Sequence, residues 1–374
     1  MIFSNAKIYT EDFEFKKGSF SVENGRFAAV LENGEPGEDL NGALVIPGAI
    51  DIHSHGCAGF DFSDGSAEGV EKMARYYAAN GVTSFAGTTL TLPYDVIGKA
   101  HGAGLELLKN KPEGAAVLRG MYLEGPFFCE SRKGAQNAAY LRLPDYEAFK
   151  KLNEDCGGLA KIVCVAPELE GAAEFIEKAS KDAVVSIAHT DCTYDQAKEA
   201  IGAGASQITH LFNAMPSIHH RKPGPIAAAA ENPGVSAEII SDGLHVHPAV
   251  VQLAFKLFGA ERMVLISDSL RCCGMPDGEY SLGGLPCWLK DGVARLEDGT
   301  IAGSATNVFE CMRRAVSFGI KIEDAIRAAT YNPARQLGCL NEVGSISKGK
   351  VADFVVCDEG LNIKAVYLAG KKIR

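Results

Sequence analysis

Short apolar runs recur through the middle of the chain at residues 44–53, 82–90, 116–125, 161–168, 183–190, 206–212, 235–243 and 263–269. Between most of them, apolar positions fall three or four apart, at residues 67–81, 143–155, 170–181 and 193–204, which predicts amphipathic helices. Pro225–Ala230 reads as the start of another helix. Continuously apolar strands alternating with such helices predict a parallel sheet covered on both faces. Eight units predict an α/β fold of the (β/α)8 TIM-type barrel class. An open doubly wound sheet is the alternative, but no glycine-rich phosphate-binding motif stands between a strand and a helix.

Both chain ends carry a different pattern. Residues 5–10 and 18–31 alternate around Asn-Gly turns, and a turn-rich run follows at 32–42. Residues 344–358 and 362–374 alternate in the same way. The two ends are expected to pair into one small β-sandwich domain. The expected division is 1–45 and 340–374 for that domain, and 46–339 for the barrel.

Composition narrows the class. The chain has 374 residues, 47% hydrophobic and 22% charged, which excludes a disordered or collagen-like chain. Acids outnumber bases 47 to 37, so no clustered cationic surface is expected for nucleic acid or an anionic membrane. No apolar run approaches the roughly 20 residues that span a bilayer. The opening residues MIFSNAKIYTEDFEF carry acids where a signal peptide would be apolar. Eleven cysteines without a CxxC pair do not form a disulfide framework, and Cys164, Cys287 and Cys357 lie in apolar runs. These features point to a reduced, cytoplasmic protein.

The chemistry clusters at strand ends. His53 and His55 end the first strand, Glu124 follows the third, His189 ends the fifth, and His210 ends the sixth. His245 and His247 follow the seventh, and Asp268 follows the eighth. Barrel enzymes build their sites at the C-terminal ends of the strands, so these residues should meet at one mouth. An HxH pair on a strand points both rings to one side, which suits a metal ion. Taken alone, that pair could equally be two histidines in a polar loop. Similarly, Glu124 could cap a turn, and Asp268 could cap a helix. Imidazoles and carboxylates without thiolates favour zinc first, with iron, manganese or cobalt as alternatives. The ligands exceed the needs of one tetrahedral zinc, which suggests either two metals or one open catalytic site. His101, on a helix in KAHGAG, is expected to be an ordinary surface residue.

The motifs PGAIDIHSHG, LEGPF, AHT, THLFNAM, HHRKPG, SDGLHVHP, ISDS, GMPDGEYSLGG, AGSATNV, ATYNPARQLG and GSISKGKVADFVV occur in order. In these the chain, from about residue 45 onward, resembles the N-acetylglucosamine-6-phosphate deacetylases of the amidohydrolase superfamily. The resemblance implies a (β/α)8 barrel with a small β domain from both ends. It implies that Glu124, His189 and His210 ligate a main divalent cation and that His53 and His55 hold a second, with Glu124 bridging. Asp268 would touch the metal site and serve as general base, then general acid. Asn213 and Ala214 would contact substrate, and Arg221 would bind its phosphate, in many members from a neighbouring subunit. Ala135, Gln136, His245, Ile301, Ala302 and Gly303 would line the sugar site. The implied partner is a phosphorylated N-acetylamino sugar, and the implied assembly is a homodimer with Arg221 near its interface.

That chemistry suits the residue types. A divalent metal lowers the pKa of its water from 15.7 to about 7 and polarises an amide oxygen. Asp268 could pass the water's proton to the leaving amine. Two departures stand out. Tyr122 replaces the histidine usual before Leu-Glu-Gly-Pro, and Gln136 stands where the family has a histidine. Gln136 can hydrogen-bond but cannot carry a proton. His219 and His220 beside Arg221 read either as part of the family's HHR loop or as solvated residues. Cys272 and Cys273 are expected to form no disulfide. N-acetylgalactosamine 6-phosphate, another amidohydrolase substrate and a non-catalytic sugar-phosphate sensor are the other readings. The fourth strand ends without the lysine that cyclic-amide hydrolases use.

Overall fold

The computed structural model describes residues 1–32 and 37–374. The turn-rich run expected at 32–42 has its residues 33–36 outside that description. Strands from both chain ends share one eight-stranded sheet, in the order Lys371–Lys372, Ile363–Leu368, Phe354–Cys357, Leu44–Pro47, Ile2–Tyr9, Phe15–Glu23 and Arg26–Glu32; Glu38–Asp39 pairs with Ile2–Tyr9. The hairpin at Phe15–Glu23 and Arg26–Glu32 turns at Asn24–Gly25, with φ of 52° and 75°. Those left-handed values match the twist of the flanking strands. Phe3 and Tyr367 lie three strands apart, roughly 14 Å in a flat sheet, yet their rings are 5.3 Å apart. The sheet therefore folds over on itself, and the backbone of Phe27 meets Lys350 and Gly349. A separate apolar core that includes Phe3, Phe20, Phe27, Phe354 and Tyr367 fills the fold.

The second sheet has eight parallel strands in the sequence order of the chain: Ala49–Ser54, Val82–Thr89, Val117–Leu123, Ala160–Val165, Val184–Ile187, Gln207–Ile208, Ser236–Ile240 and Met263–Ile266. It closes just past the last strand, where Asp268 N–H donates to His53 O and His55 N–H to Ser269 O, each at 2.9 Å. A closed sheet leaves no exposed edge and brings all eight carboxyl ends to one rim.

Helices fill the crossovers. In Ala67–Ala79, Val70, Met73, Ala74, Tyr77 and Ala78 make a buried stripe, and the Ser66 side chain accepts the Gly69 N–H. The expected helices at 143–155, 170–181 and 193–204 are Tyr146–Asp155, Ala172–Ala179 and Tyr194–Ala203. The eleven cysteines are all free.

Three features differ from the sequence reading. The run at 44–53 is two strands that belong to different sheets, parted at Gly48, where a Cβ would lie 2.1 Å from Thr83 Oγ1. That crossing ties the terminal sheet to the barrel. An additional three-stranded sheet, Gly278–Leu282, Leu285–Lys290 and Val293–Leu296, follows the barrel. The third difference is His101, which is not a surface residue but 1% exposed. Ile97, His101 and Gly104 are spaced i, i+4 and i+7 on the helix Tyr94–Asn110, so the ring falls on its buried face. Burial pushes its pKa down to about 4.

Candidate active site

The strand ends deliver their side chains through unusual backbone. His189, His210 and Asp268 take positive φ values of 44°, 28° and 49°, and Phe212 and Ala214 follow with 75° and 51°. Such conformations cost about 1–3 kcal/mol each in residues with a Cβ and persist only where surrounding packing fixes them. His53 and His55 leave the first strand on the same side, while Ser54 between them turns away and bonds Ser269 Oγ at 2.8 Å.

These residues meet around Glu124. Its Oε1 lies 3.3 Å from His189 Nε2, 3.1 Å from His210 Nε2 and 3.4 Å from His53 Nε2. Its Oε2 lies 3.1 Å from His55 Nε2. Asp268 Oδ1 lies 3.3 Å from His55 Nε2 and 3.7 Å from His53 Nε2. Ligand atoms of Glu124, His189 and His210 all fall within 4.8 Å of one another, and so do those of His53, His55 and Glu124. His189 and His210 face each other Nε2 to Nε2 at 3.1 Å. Tetrahedral ligands 2.0–2.1 Å from a zinc ion stand roughly 3.3 Å apart, so this spacing fits a cation between them. Farther from this point, His189 Nδ1 lies 2.9 Å from Arg132 O, the arrangement that leaves Nε2 free to ligate.

The electrostatics are those of a desolvated charge cluster. Burial alone would raise the Glu124 carboxyl, but the His53, His189 and His210 rings beside it hold it well below the ordinary range. Burial pulls His53 down, and the neighbouring Glu124 and Glu238 carboxylates more than reverse that. Burial would raise Asp268, but its bond to His55 and the His53 charge lower it, so it stands ionised at neutral pH. Below the cluster, desolvation lifts the Asp51 carboxyl to about 7 despite donors from Ser267 and His53 N–H.

Above the cluster is a cavity of about 190 Å³. His55, Glu124, His189, His210 and Asp268 form its floor, with Ala135, Gln136, Asn213, Ala214, His245, Ile301, Ala302 and Gly303 around it. Gln136 is turned toward the cluster: its Nε2 donates to Glu124 Oε2, and its Oε1 accepts the Thr91 N–H at 2.8 Å. His245 is fixed at both nitrogens, 2.7 Å from Asp242 Oδ2 and 2.9 Å from Ala302 O. The Asn213 amide donates to His210 O at 3.1 Å, and Ala214 O accepts the Thr190 N–H. Tyr122 is fully buried, with its ring 4.6 Å from that of His53 and its hydroxyl 2.8 Å from Thr209 Oγ1. Arg221 is not brought to the cavity; it is exposed, as are His219 and His220.

The sequence reading missed Glu238 and Asp242. Glu238 is fully buried and carries His53 Nδ1 at 3.0 Å. Its signal was a charged residue inside an otherwise apolar parallel strand, a position tolerated only with partners.

A closed α/β barrel whose rim gathers four imidazoles and two carboxylates around one point defines a metal-dependent hydrolase scaffold. The chain belongs to the amidohydrolase family, whose model matches residues 44–373. It is 35% identical to N-acetylglucosamine-6-phosphate deacetylase of Bacillus subtilis, over 95% of this chain and 92% of that protein. It is 34% identical to N-acetylgalactosamine-6-phosphate deacetylase of Escherichia coli O157:H7, over 98% of this chain and 97% of that one. Among solved structures, N-acetyl-D-glucosamine-6-phosphate deacetylase of Mycobacterium smegmatis superposes with a TM-score of 0.93 at 32% identity, covering both chains fully. A mutant of that enzyme was solved in complex with N-acetyl-D-glucosamine-6-phosphate and superposes equally well.

Proposed function

We propose that this chain hydrolyses the acetamide of N-acetylglucosamine 6-phosphate, releasing acetate and glucosamine 6-phosphate. One observation carries the reading: Glu124, His189 and His210 converge directly beneath a cavity that also exposes Asp268. A divalent cation bound by those three residues supplies Lewis acidity toward the acetamide oxygen and toward water. We assign zinc to that role, from a donor set of imidazole and carboxylate without thiolate. His53 and His55 form with Glu124 a second group suited to a cation.

The residues divide the remaining work. Asp268, ionised and facing the cavity, accepts the proton of the attacking water and returns it to the nitrogen of the leaving amine. Without that proton the amine is too basic to depart. Gln136 keeps Glu124 from rotating. His245, held by Asp242 and Ala302 O, gives the sugar a fixed wall. Arg221 binds the phosphate of a substrate held by a second copy of this chain, since it stands exposed outside its own cavity and its guanidinium matches phosphate oxygens. The working unit in this reading is a homodimer. No helix among the described residues is long and apolar enough to cross a membrane, and eleven free thiols suit a reducing cytoplasm.

The Escherichia coli relative supports a second reading, in which the substrate is N-acetylgalactosamine 6-phosphate. Acetate release from both sugar phosphates and from unphosphorylated N-acetylglucosamine decides between them. The proposal expects the glucosamine phosphate to be preferred. A preference for the galactosamine phosphate selects the second reading, and no release from either overturns both.

A further inference from the structure

Glu238 stands in the middle of the strand Ser236–Ile240, among Ala237, Ile239 and Ile240, and is fully buried. A carboxylate there is costly unless donors surround it. Three do: His53 Nδ1 at 3.0 Å and the His210 N–H at 3.4 Å meet Oε2, and Gln207 Nε2 meets Oε1 at 2.6 Å. Glu238 does not line the cavity, so it cannot touch substrate. At the other end of the same imidazole, His53 Nε2 lies 3.4 Å from Glu124 Oε1 and 3.7 Å from Asp268 Oδ1 and has no hydrogen-bond partner.

We propose that Glu238 is a positioning residue that keeps the His53 proton on Nδ1, so that Nε2 offers its lone pair to a cation at the His53–His55–Glu124 group. This rests on the cation-dependent reading above. Once a cation takes the place of the second proton that the flanking carboxylates favour on His53, the imidazole carries one N–H, and the partner at one nitrogen decides what the other can do. With an acceptor fixed at Nδ1, Nε2 is left free. With that acceptor removed, the proton can move to Nε2 and close it. Gln207 and His210 N–H hold the carboxylate at the angle that meets His53.

The test is titration of metal-free protein with cobalt(II), read from its visible absorption, in the wild type, Glu238→Leu and Glu238→Gln. Glu238→Leu should weaken binding at the His53 group about 10–100-fold and leave the Glu124–His189–His210 event unchanged. Glu238→Gln keeps an oxygen that can accept from His53, so it should recover most of that loss. Wild-type affinity at both events in Glu238→Leu would overturn the proposal. Equal weakening of both events in both variants would also overturn it, as the mark of general damage. A single binding event in the wild type would overturn it as well, because no cation then binds at the His53 group, while leaving the Glu124–His189–His210 cation of the proposed function in place. If Glu238→Leu does not fold, the nitrogen-15 shifts of His53 in the zinc-loaded wild type decide. A proton on Nδ1 alone supports the proposal, and a proton on Nε2 overturns it.

Discussion

The terminal-sheet core and the barrel mouth are equally hidden from water, yet they are built on opposite terms. Phe3, Phe20, Phe354 and Tyr367 are at most 3% exposed, and their ring centroids stand 4.3–5.3 Å apart. Burying them is itself favourable. His53, His55, Glu124, His189 and His210 are at most 5% exposed, but each is a polar group taken from water, two of them on left-handed backbone. Burying these costs free energy, and the surrounding barrel holds them in place. The difference teaches where to look for function: in the buried cluster that stability does not explain. Changes in the aromatic core should alter stability and leave turnover alone, while changes at the mouth should do the reverse.

The largest separation is expected at Asp268. Asp268→Asn should lower kcat by roughly 10²–10⁴-fold while the metal content of the purified protein stays that of the wild type. Phe354→Ala should act on the other side, lowering the unfolding free energy by about 3–5 kcal/mol. Its kcat, measured well below its reduced Tm, should match the wild type. If Phe354→Ala slowed turnover in folded protein, the two regions would not be independent.

His101 sharpens the comparison, because it is a buried polar group that does not line the cavity. Its pKa falls from an ordinary 6.5 to about 4 when folded. Between those values the unfolded chain binds the proton more readily, so the His101 contribution to stability falls as pH drops from 6.5 toward 4, by up to roughly 3 kcal/mol. Relative to the wild type, His101→Leu should lose that component, so that the difference between their denaturation midpoints grows as pH drops from 6.5 toward 4, without changing kcat at pH 7.5. The smallest effect is expected from Arg221→Ala. It should lower kcat/KM for the sugar phosphate roughly 10–150-fold, the equivalent of about 1.5–3 kcal/mol for a charged hydrogen bond, and leave the unphosphorylated sugar unaffected. Undiminished preference for the phosphate would remove Arg221 from the site.

Much of this was legible in the chain, because residues at the ends of parallel strands obey simple geometry. The two-residue spacing of His53 and His55 dictates that both face one way. Glu124, His189, His210 and Asp268 each follow an apolar run, and a closed barrel takes such positions to a common rim. What was not legible depends on partners distant in sequence. Nothing local to Glu238 announces that His53, on the first barrel strand, will meet it. His101 looked solvated because its type outweighed its spacing, although Ile97 and Gly104 placed it on the buried face. The strands at 278–296 are short and largely exposed, so their apolar alternation is weak. Gly48 divides one apolar run between two sheets for a reason visible only in three dimensions, the Thr83 side chain.

The central claim is that a divalent cation held by Glu124, His189 and His210 drives hydrolysis of an N-acetyl group. Its most direct measurement is acetate release from N-acetylglucosamine 6-phosphate by one preparation assayed as purified, after exhaustive chelation, and after return of zinc. The account predicts release that disappears on chelation and recovers as zinc is returned to stoichiometry. Undiminished release from protein shown to be free of metal would contradict it.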